Sequence, residues 1–100
     1  MFDFKGKSVL ITGASYGLGE QFAYAFADAG ADLVLTARSE ELLEGVGEAC
    51  REKGSKVTVV TGDVSVEDDV LRVVEQGIAD HGKIDAVSYT HLTLPTKRRV

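Results

Sequence analysis

The stretch that decides the fold is Ser8-Val9-Leu10-Ile11-Thr12-Gly13-Ala14-Ser15-Tyr16-Gly17-Leu18-Gly19. Its first half is a short apolar run, typical of a parallel strand that is buried on both faces. Three glycines follow, and a helical pattern begins after them. Glycine main chain lets a pyrophosphate approach closely, and a helix N-terminus offers it unpaired N–H groups. The stretch therefore predicts the first βαβ unit of a dinucleotide-binding domain, the alternative being a plain structural turn.

The glycine spacing separates this loop from two common phosphate-binding motifs. Ser15 stands where the second glycine of G-x-G-x-x-G would be, and Leu18-Gly19-Glu20 lacks the Gly-Lys-Ser/Thr of a P-loop. Thr12-Gly13-x-x-x-Gly17-x-Gly19 instead resembles the cofactor loop of the short-chain dehydrogenase/reductase family. An extended nucleotide-sugar epimerase is a lesser alternative, because its loop would have glycine in place of Tyr16. The resemblance implies cofactor contacts from Gly13, Ser15, Tyr16, Gly17, Leu18 and Gly19.

Composition limits the class of protein. Hydrophobic residues make up 44% of the chain and charged residues 27%, as in ordinary soluble globular domains. The net charge of −5 argues against a nucleic-acid partner, which would favour a basic face. The single cysteine, Cys50, permits no internal disulfide and is typical of a reducing cytosol. Because no apolar run approaches membrane-spanning length, we expect a cytoplasmic protein without a membrane partner.

Strand and helix patterns alternate along the rest of the chain. Runs rich in apolar and β-branched residues occupy 33–37, 56–61 and 83–87. Helical patterns lie between them, with Ser39 and Ser65 as expected N-caps and Gly30 as an expected left-handed cap. Alternation with short connections predicts an α/β, Rossmann-like, doubly wound parallel sheet. We expect it to be incomplete, with three strands, part of a fourth, and three helices.

The residues after the second strand indicate which cofactor is bound. In dinucleotide-binding units, an acidic residue there binds the ribose 2′-hydroxyl of NAD, whereas an arginine accommodates the 2′-phosphate of NADP. Here Ala37 ends the strand, and Arg38 and Ser39 follow it. A guanidinium pairs bidentately with a phosphate. Arg38 and Ser39 therefore favour NADP over NAD, the alternative being a solvated arginine at a helix start.

Asp63 and Val64 follow the third strand. Their position resembles the adenine contact of the same family, in which the carboxylate accepts a hydrogen bond from the adenine amino group. The resemblance implies that role for Asp63, with the main chain of Val64 against the ring. The competing interpretation is a surface turn, because Gly-Asp is common turn chemistry.

The sequence lacks the catalytic residues of the family that it resembles. The resemblance extends from about Phe4 to Val87, and the family then continues into an Asn-Asn-Ala-Gly turn, whereas this chain contains no asparagine. The family's catalytic tyrosine and lysine lie four residues apart, and together they deliver a proton to the developing alkoxide. Here the residues four places after Tyr16, Tyr24 and Tyr89 are Glu20, Asp28 and Thr93. We assign no catalytic residue and no metal ligand, and we expect these 100 residues to be inactive alone.

Residues 87–100 differ in composition from the rest. They hold the only proline, no acidic residue and three basic residues. The segment reads like the translation of a transposon-end adapter from a sequencing library, joined to a truncated gene. A basic tail for anionic partners is the alternative. We therefore expect 1–86 to be the N-terminal part of a dinucleotide-binding Rossmann domain, followed by an irregular, non-native tail.

Two functions follow from these patterns. The first is an NADP(H)-dependent oxidoreductase of the short-chain dehydrogenase/reductase type, represented by its cofactor-binding part. Its full-length parent would be a homo-oligomer acting on a small carbonyl or alcohol substrate, as the resemblance implies. The second is a self-standing nucleotide-binding or regulatory module without catalysis.

Overall fold

A computed structural model describes residues 3–88, which form one parallel sheet flanked by helices. The strands are β1 (Ser8–Thr12), β2 (Asp32–Ala37), β3 (Val57–Thr61) and β4 (Ala86–Ser88). The helices are α1 (Gly17–Asp28), α2 (Glu40–Glu52) and α3 (Glu67–His81). The strand order is β3-β2-β1-β4, with every neighbouring pair parallel. The predicted α/β, Rossmann-like sheet is thereby confirmed.

The sheet is covered on both faces, which explains why β1 and β2 are apolar throughout. Val9 and Ile11 of β1 belong to a core that includes buried residues of α1 and α2. Leu10, between them in sequence, faces the opposite side and belongs to a second core with Val73 of α3. Successive side chains of a strand point to opposite faces, so two covered faces require a continuous apolar run.

Helix α2 begins where the sequence predicts, but fewer of its apolar residues are buried than their helical spacing suggests. Ser39 is the N-cap, and its Oγ accepts a hydrogen bond from the N–H of Leu42 at 3.4 Å. Leu42, which helical spacing with Val46 and Ala49 would place on the apolar face, is instead 54% exposed. Contact with the sheet is made by Leu43, Val46 and Cys50, which repeat at helical spacing one residue further round. Burial raises the pKa of the Cys50 thiol, in keeping with a packed side chain.

The predicted start of α3 is wrong by one residue, because the N-cap is Val66 and not Ser65. Val66 occupies the N-cap position, where its side chain makes no capping hydrogen bond, and Ser65 lies outside the helix. The Ser65 N–H and hydroxyl both donate to Oδ1 of Asp63, at 2.9 and 2.7 Å. Because that hydroxyl is committed to the preceding turn, it does not cap the helix. Helical spacing would place Val66 and Ile78 on the apolar face of α3. They are instead 44% and 47% exposed, because the second core is reached by Val73 and Val74.

The fourth strand begins at Ala86, three residues later than the sequence indicates. Asp85 precedes it and joins the two strands, because its N–H donates to the Ser8 carbonyl and its Oδ2 accepts from the Ser8 N–H, both at 2.8 Å. Val87 and Ser88 pair with β1, so these first residues of the expected irregular tail extend the sheet. The remainder of that tail, 89–100, lies outside the described residues. Within 3–88 no helix combines the length and apolar character needed to cross a bilayer.

Candidate functional site

The turns that follow β1, β2 and β3 converge on one cleft at the carboxyl edge of the sheet. Its volume is about 460 Å³. Ligands of open α/β sheets bind at this edge, outside the carboxyl ends of the strands. The lining residues are Gly13, Ser15, Tyr16, Ala37, Arg38, Ser39, Gly62, Asp63, Val64 and Ser65. The fold thus brings together segments separated by more than twenty residues along the chain.

Most of the residues expected to contact a cofactor line this cleft. They are Gly13, Ser15, Tyr16, Arg38, Ser39, Asp63 and Val64. Gly17, Leu18 and Gly19 instead form the first turn of α1 beside it. Sequence reasoning did not assign Gly62 and Ser65 to the site, although their position directly after β3 was a usable signal.

The glycine loop leaves the start of α1 accessible. Gly13 and Gly17 have φ angles of 62° and 63°, in the left-handed region that favours glycine. Tyr16 is the N-cap in an extended conformation, is 70% exposed, and makes no side-chain cap hydrogen bond. Since the first N–H groups of a helix have no intrahelical partner, those of α1 can bind an anion.

Gly19 has a different role from the other two loop glycines. A Cβ atom built there would lie 2.1 Å from the carbonyl oxygen of Gly13 and 2.7 Å from its carbon. The helix therefore rests directly on the main chain of the loop. The loop is joined to β2 by the N–H of Ala14, which donates to the Thr36 carbonyl at 3.2 Å. A side chain at position 19 would push the main chain of the loop out of place.

Arg38 supplies positive charge to the cleft. Its side chain is exposed, and among residues 3–88 its guanidinium has no hydrogen bond or ion pair. Ala37, which ends β2 beside it, is buried and carries no charge. The cleft thus has an uncommitted cation at the end of β2, where an acidic residue would repel a phosphate.

Asp63 lies in the turn that leaves β3. The Gly62 N–H donates to the Ala37 carbonyl at 2.9 Å, so this turn is joined to the end of β2. Oδ1 of Asp63 accepts both hydrogen bonds from Ser65. The turn chemistry that the sequence offered as a competing interpretation is therefore present, and it coexists with Asp63 at the cleft.

The described tyrosines do not form a proton-donating site. The Tyr24 hydroxyl donates to Oε2 of Glu20 at 2.8 Å, and this bond, with burial and the Glu20 charge, raises its pKa to about 12. A general acid works best with a pKa near the working pH, so this shift has the wrong direction. Within 3–88, no group of acidic, histidine or cysteine side chains is arranged to hold a metal ion.

A parallel sheet with a glycine loop at a helix N-terminus and a cleft at its carboxyl edge is the architecture of a dinucleotide-binding α/β domain. The profile of the family described as short chain dehydrogenase matches residues 7–90 of the chain. The chain belongs to the short-chain dehydrogenase/reductase family of oxidoreductases, as its glycine loop suggested.

Individual relatives agree with this membership. The 11-beta-hydroxysteroid dehydrogenase 1A of Arabidopsis thaliana is 53% identical over 81 residues, which are 80% of this chain and 23% of that protein. A short-chain type dehydrogenase/reductase from Mycobacterium marinum superposes with a TM-score of 0.82 at 37% identity, over 86% of this chain and 35% of the other. The chain thus spans about a quarter of the curated relatives it matches and about a third of the solved structures.

Solved structures of similar proteins contain either cofactor. L-sorbose reductase from Gluconobacter frateurii, complexed with NADPH and L-sorbose, is 36% identical with a TM-score of 0.82, covering 86% of this chain and 33% of that one. A short-chain dehydrogenase/reductase from Burkholderia phymatum in complex with NAD is 34% identical with a TM-score of 0.82, covering 87% and 31%. The family uses NAD or NADP, so the choice depends on side chains at the cleft.

Proposed function

We propose that this chain is the cofactor-binding part of an NADP(H)-dependent oxidoreductase that acts on a small carbonyl or alcohol substrate. The observation that carries the proposal is the uncommitted guanidinium of Arg38 in the cleft. A ribose 2′-phosphate carries up to about two negative charges and pairs bidentately with arginine. Because Ala37 replaces the acidic residue that would bind a 2′-hydroxyl, the cleft favours NADP over NAD.

The other residues of the cleft have complementary roles in this proposal. The main chain of 13–19 would hold the diphosphate, and the bound nicotinamide would supply hydride chemistry. Ser39 Oγ accepts from Leu42, but a hydroxyl also donates, so it can give its proton to a phosphate oxygen. The Asp63 carboxylate, which already accepts from Ser65, would also accept from the adenine amino group.

A nucleotide-binding module without catalysis is the second candidate. It is favoured for these 100 residues because none of their tyrosines is followed four residues later by lysine. The full-length gene product, assayed for NADPH oxidation against a panel of ketones, distinguishes the two. Turnover supports the oxidoreductase, whereas binding without turnover of any ketone supports the module. A homo-oligomeric assembly and a cytoplasmic location remain predictions.

The Arg38→Ala variant tests the choice of cofactor. We expect its dissociation constant for NADP⁺ to rise about tenfold, since a charge-assisted phosphate contact is lost, and that for NAD⁺ to change less than about twofold. Titration of the ¹⁵N-labelled chain, followed by amide chemical shifts, measures both constants even when binding is weak.

Two further variants control the measurement. Lys5→Ala removes the same charge from an exposed residue before β1, and we expect it to change neither constant. Arg38→Lys keeps the charge without the planar fork and should fall between the wild-type chain and Arg38→Ala. An equal loss of NADP⁺ and NAD⁺ binding in Arg38→Ala would contradict a 2′-phosphate contact.

A further inference from the structure

The turn that carries Asp63 is held in place from the first turn of α3. Oδ2 of Asp69 accepts a hydrogen bond from the main-chain N–H of Asp63 at 2.9 Å. Asp69 lies two residues inside α3, so this bond joins the helix to the loop that precedes it. The N–H of Val66 also donates to the carbonyl of Asp63 at 2.9 Å. Both main-chain polar groups of Asp63 therefore have partners.

Arg72 holds Asp69 in this position. The Nη2 atom of Arg72 donates both to Oδ1 of Asp69 and to the carbonyl of Thr61, at 3.1 Å in each case. Thr61 is the last residue of β3, so the Arg72 guanidinium joins the strand end to the carboxylate. The segment from Thr61 to Asp63 is thus connected to α3 at both of its ends.

The neighbours of the Asp69 carboxyl group favour its ionised form. The Asp63 N–H and the Arg72 guanidinium lower the pKa of Asp69, outweighing the opposite effects of burial and of the Asp63 charge. Asp69 therefore remains a carboxylate at neutral pH, and a carboxylate is a stronger hydrogen-bond acceptor than a neutral group.

We propose that Asp69 is a positioning residue for the adenine end of the cofactor site. By accepting from the N–H of Asp63, it holds the main chain that carries the Asp63 carboxyl group at the cleft, while Ser65 binds the carboxyl group itself. A group held in its bound orientation loses less conformational entropy when the ligand arrives, and this raises affinity. The inference rests on the proposed function, because it assumes that Asp63 accepts from the adenine amino group.

Asp68 provides a matched control. It has the same side chain, the same place in the first turn of α3 and an exposed position. Among residues 3–88, no hydrogen bond or ion pair involves its carboxylate. Asp68→Ala and Asp69→Ala therefore remove equal charge from the helix N-terminus, and they differ in the bonds to Asp63 and Arg72, which only Asp69 makes.

The experiment compares NADP⁺ with 1,N⁶-etheno-NADP⁺, whose bridged adenine has no amino hydrogen to donate. The dissociation constants of the full chain and its variants are measured by amide chemical shifts. In Asp69→Ala we expect about tenfold weaker binding of NADP⁺ and less than about twofold change for the etheno analogue. In Asp68→Ala we expect both constants to stay at their wild-type values.

Each other outcome overturns a defined part of the argument. If Asp69→Ala weakens both ligands equally, Asp69 merely supports the fold, and the inference is wrong. If the wild-type chain binds both ligands equally well, the adenine amino group contributes nothing to binding. The inference then fails while the proposed function stands. If the wild-type chain binds neither ligand, the proposed function fails as well. Should Asp69→Ala not fold, Asp69→Asn keeps the volume and an acceptor oxygen, and we expect about threefold weaker NADP⁺ binding from it.

Discussion

Two glycines of the loop show how differently one residue type serves a binding site. Gly17 has a positive φ and open space around it, so its backbone conformation requires glycine. Gly19 lies in a regular helix, and there the space for a side chain is occupied by the Gly13 carbonyl. At position 17 the constraint is conformational, whereas at position 19 it is steric.

This difference predicts unequal effects of alanine. Gly19→Ala should lower the free energy of unfolding by about 1–3 kcal/mol, because main-chain atoms must move to admit the methyl group. Gly17→Ala should cost about 1 kcal/mol, the usual penalty for a left-handed residue with a Cβ. Urea unfolding followed by circular dichroism measures both values. A larger loss from Gly17→Ala would show that the contact between α1 and the loop is loose.

At the scale of elements, α2 depends on its sheet more than on its own helix propensity. Two glycines, Gly45 and Gly47, weaken the helix by about 1 kcal/mol each relative to alanine. Gly47 lies against β3, where a Cβ would come within 2.7 Å of Val59 Cγ2. Gly45 has no atom within 4 Å of its Cβ position. Packing therefore accounts for Gly47 and not for Gly45.

Alanine at these positions should consequently have opposite effects. We expect Gly45→Ala to raise the free energy of unfolding by up to about 1 kcal/mol through helix propensity. Gly47→Ala should lower it by about 1–3 kcal/mol, because a β-branched neighbour has little freedom to move away. The two variants control for each other in one thermal or urea unfolding series, and changes of the same sign would contradict the packing of α2 on β3.

At the scale of the whole molecule, carboxylates join elements that are distant in sequence. Asp85 binds the Ser8 N–H and so holds β4 to β1, while Asp80 of α3 accepts from the Thr58 hydroxyl of β3 at 2.6 Å. The Ser8 N–H lowers the pKa of Asp85, and the Thr58 hydroxyl lowers that of Asp80. The ionised forms of both groups therefore stabilise the folded chain.

A defined dependence on pH follows. Carboxyl groups with lowered pKa values contribute stability above their ordinary pKa of about 4, and this is lost as the pH falls through the lowered values. We expect the free energy of unfolding to decline below about pH 4 in a urea series. Asp85→Asn should be less stable at pH 7 and should decline less steeply in acid. Parallel curves for the variant and the wild-type chain would exclude Asp85 as a contributor.

The order of strands and helices, the glycine loop and the cap at Ser39 were predictable from sequence, because each depends on residues within a few positions of one another. The exposure of Leu42 and the role of Ser65 were not, since each depends on a competing partner. Leu43 is buried against the sheet, whereas Leu42 is exposed. The Ser65 hydroxyl donates to Asp63 and is therefore not used to cap α3.

Local pattern by itself determined that this chain builds a parallel α/β sheet with a glycine loop after its first strand, because periodicity and glycine placement act within single elements. Only the tertiary structure decided that Arg38 and Asp63 line the same cleft, since this depends on β2 and β3 lying side by side with their carboxyl ends at one edge. It likewise decided that Asp69 holds the Asp63 turn, because that bond requires the first turn of α3 to fold back against the end of β3.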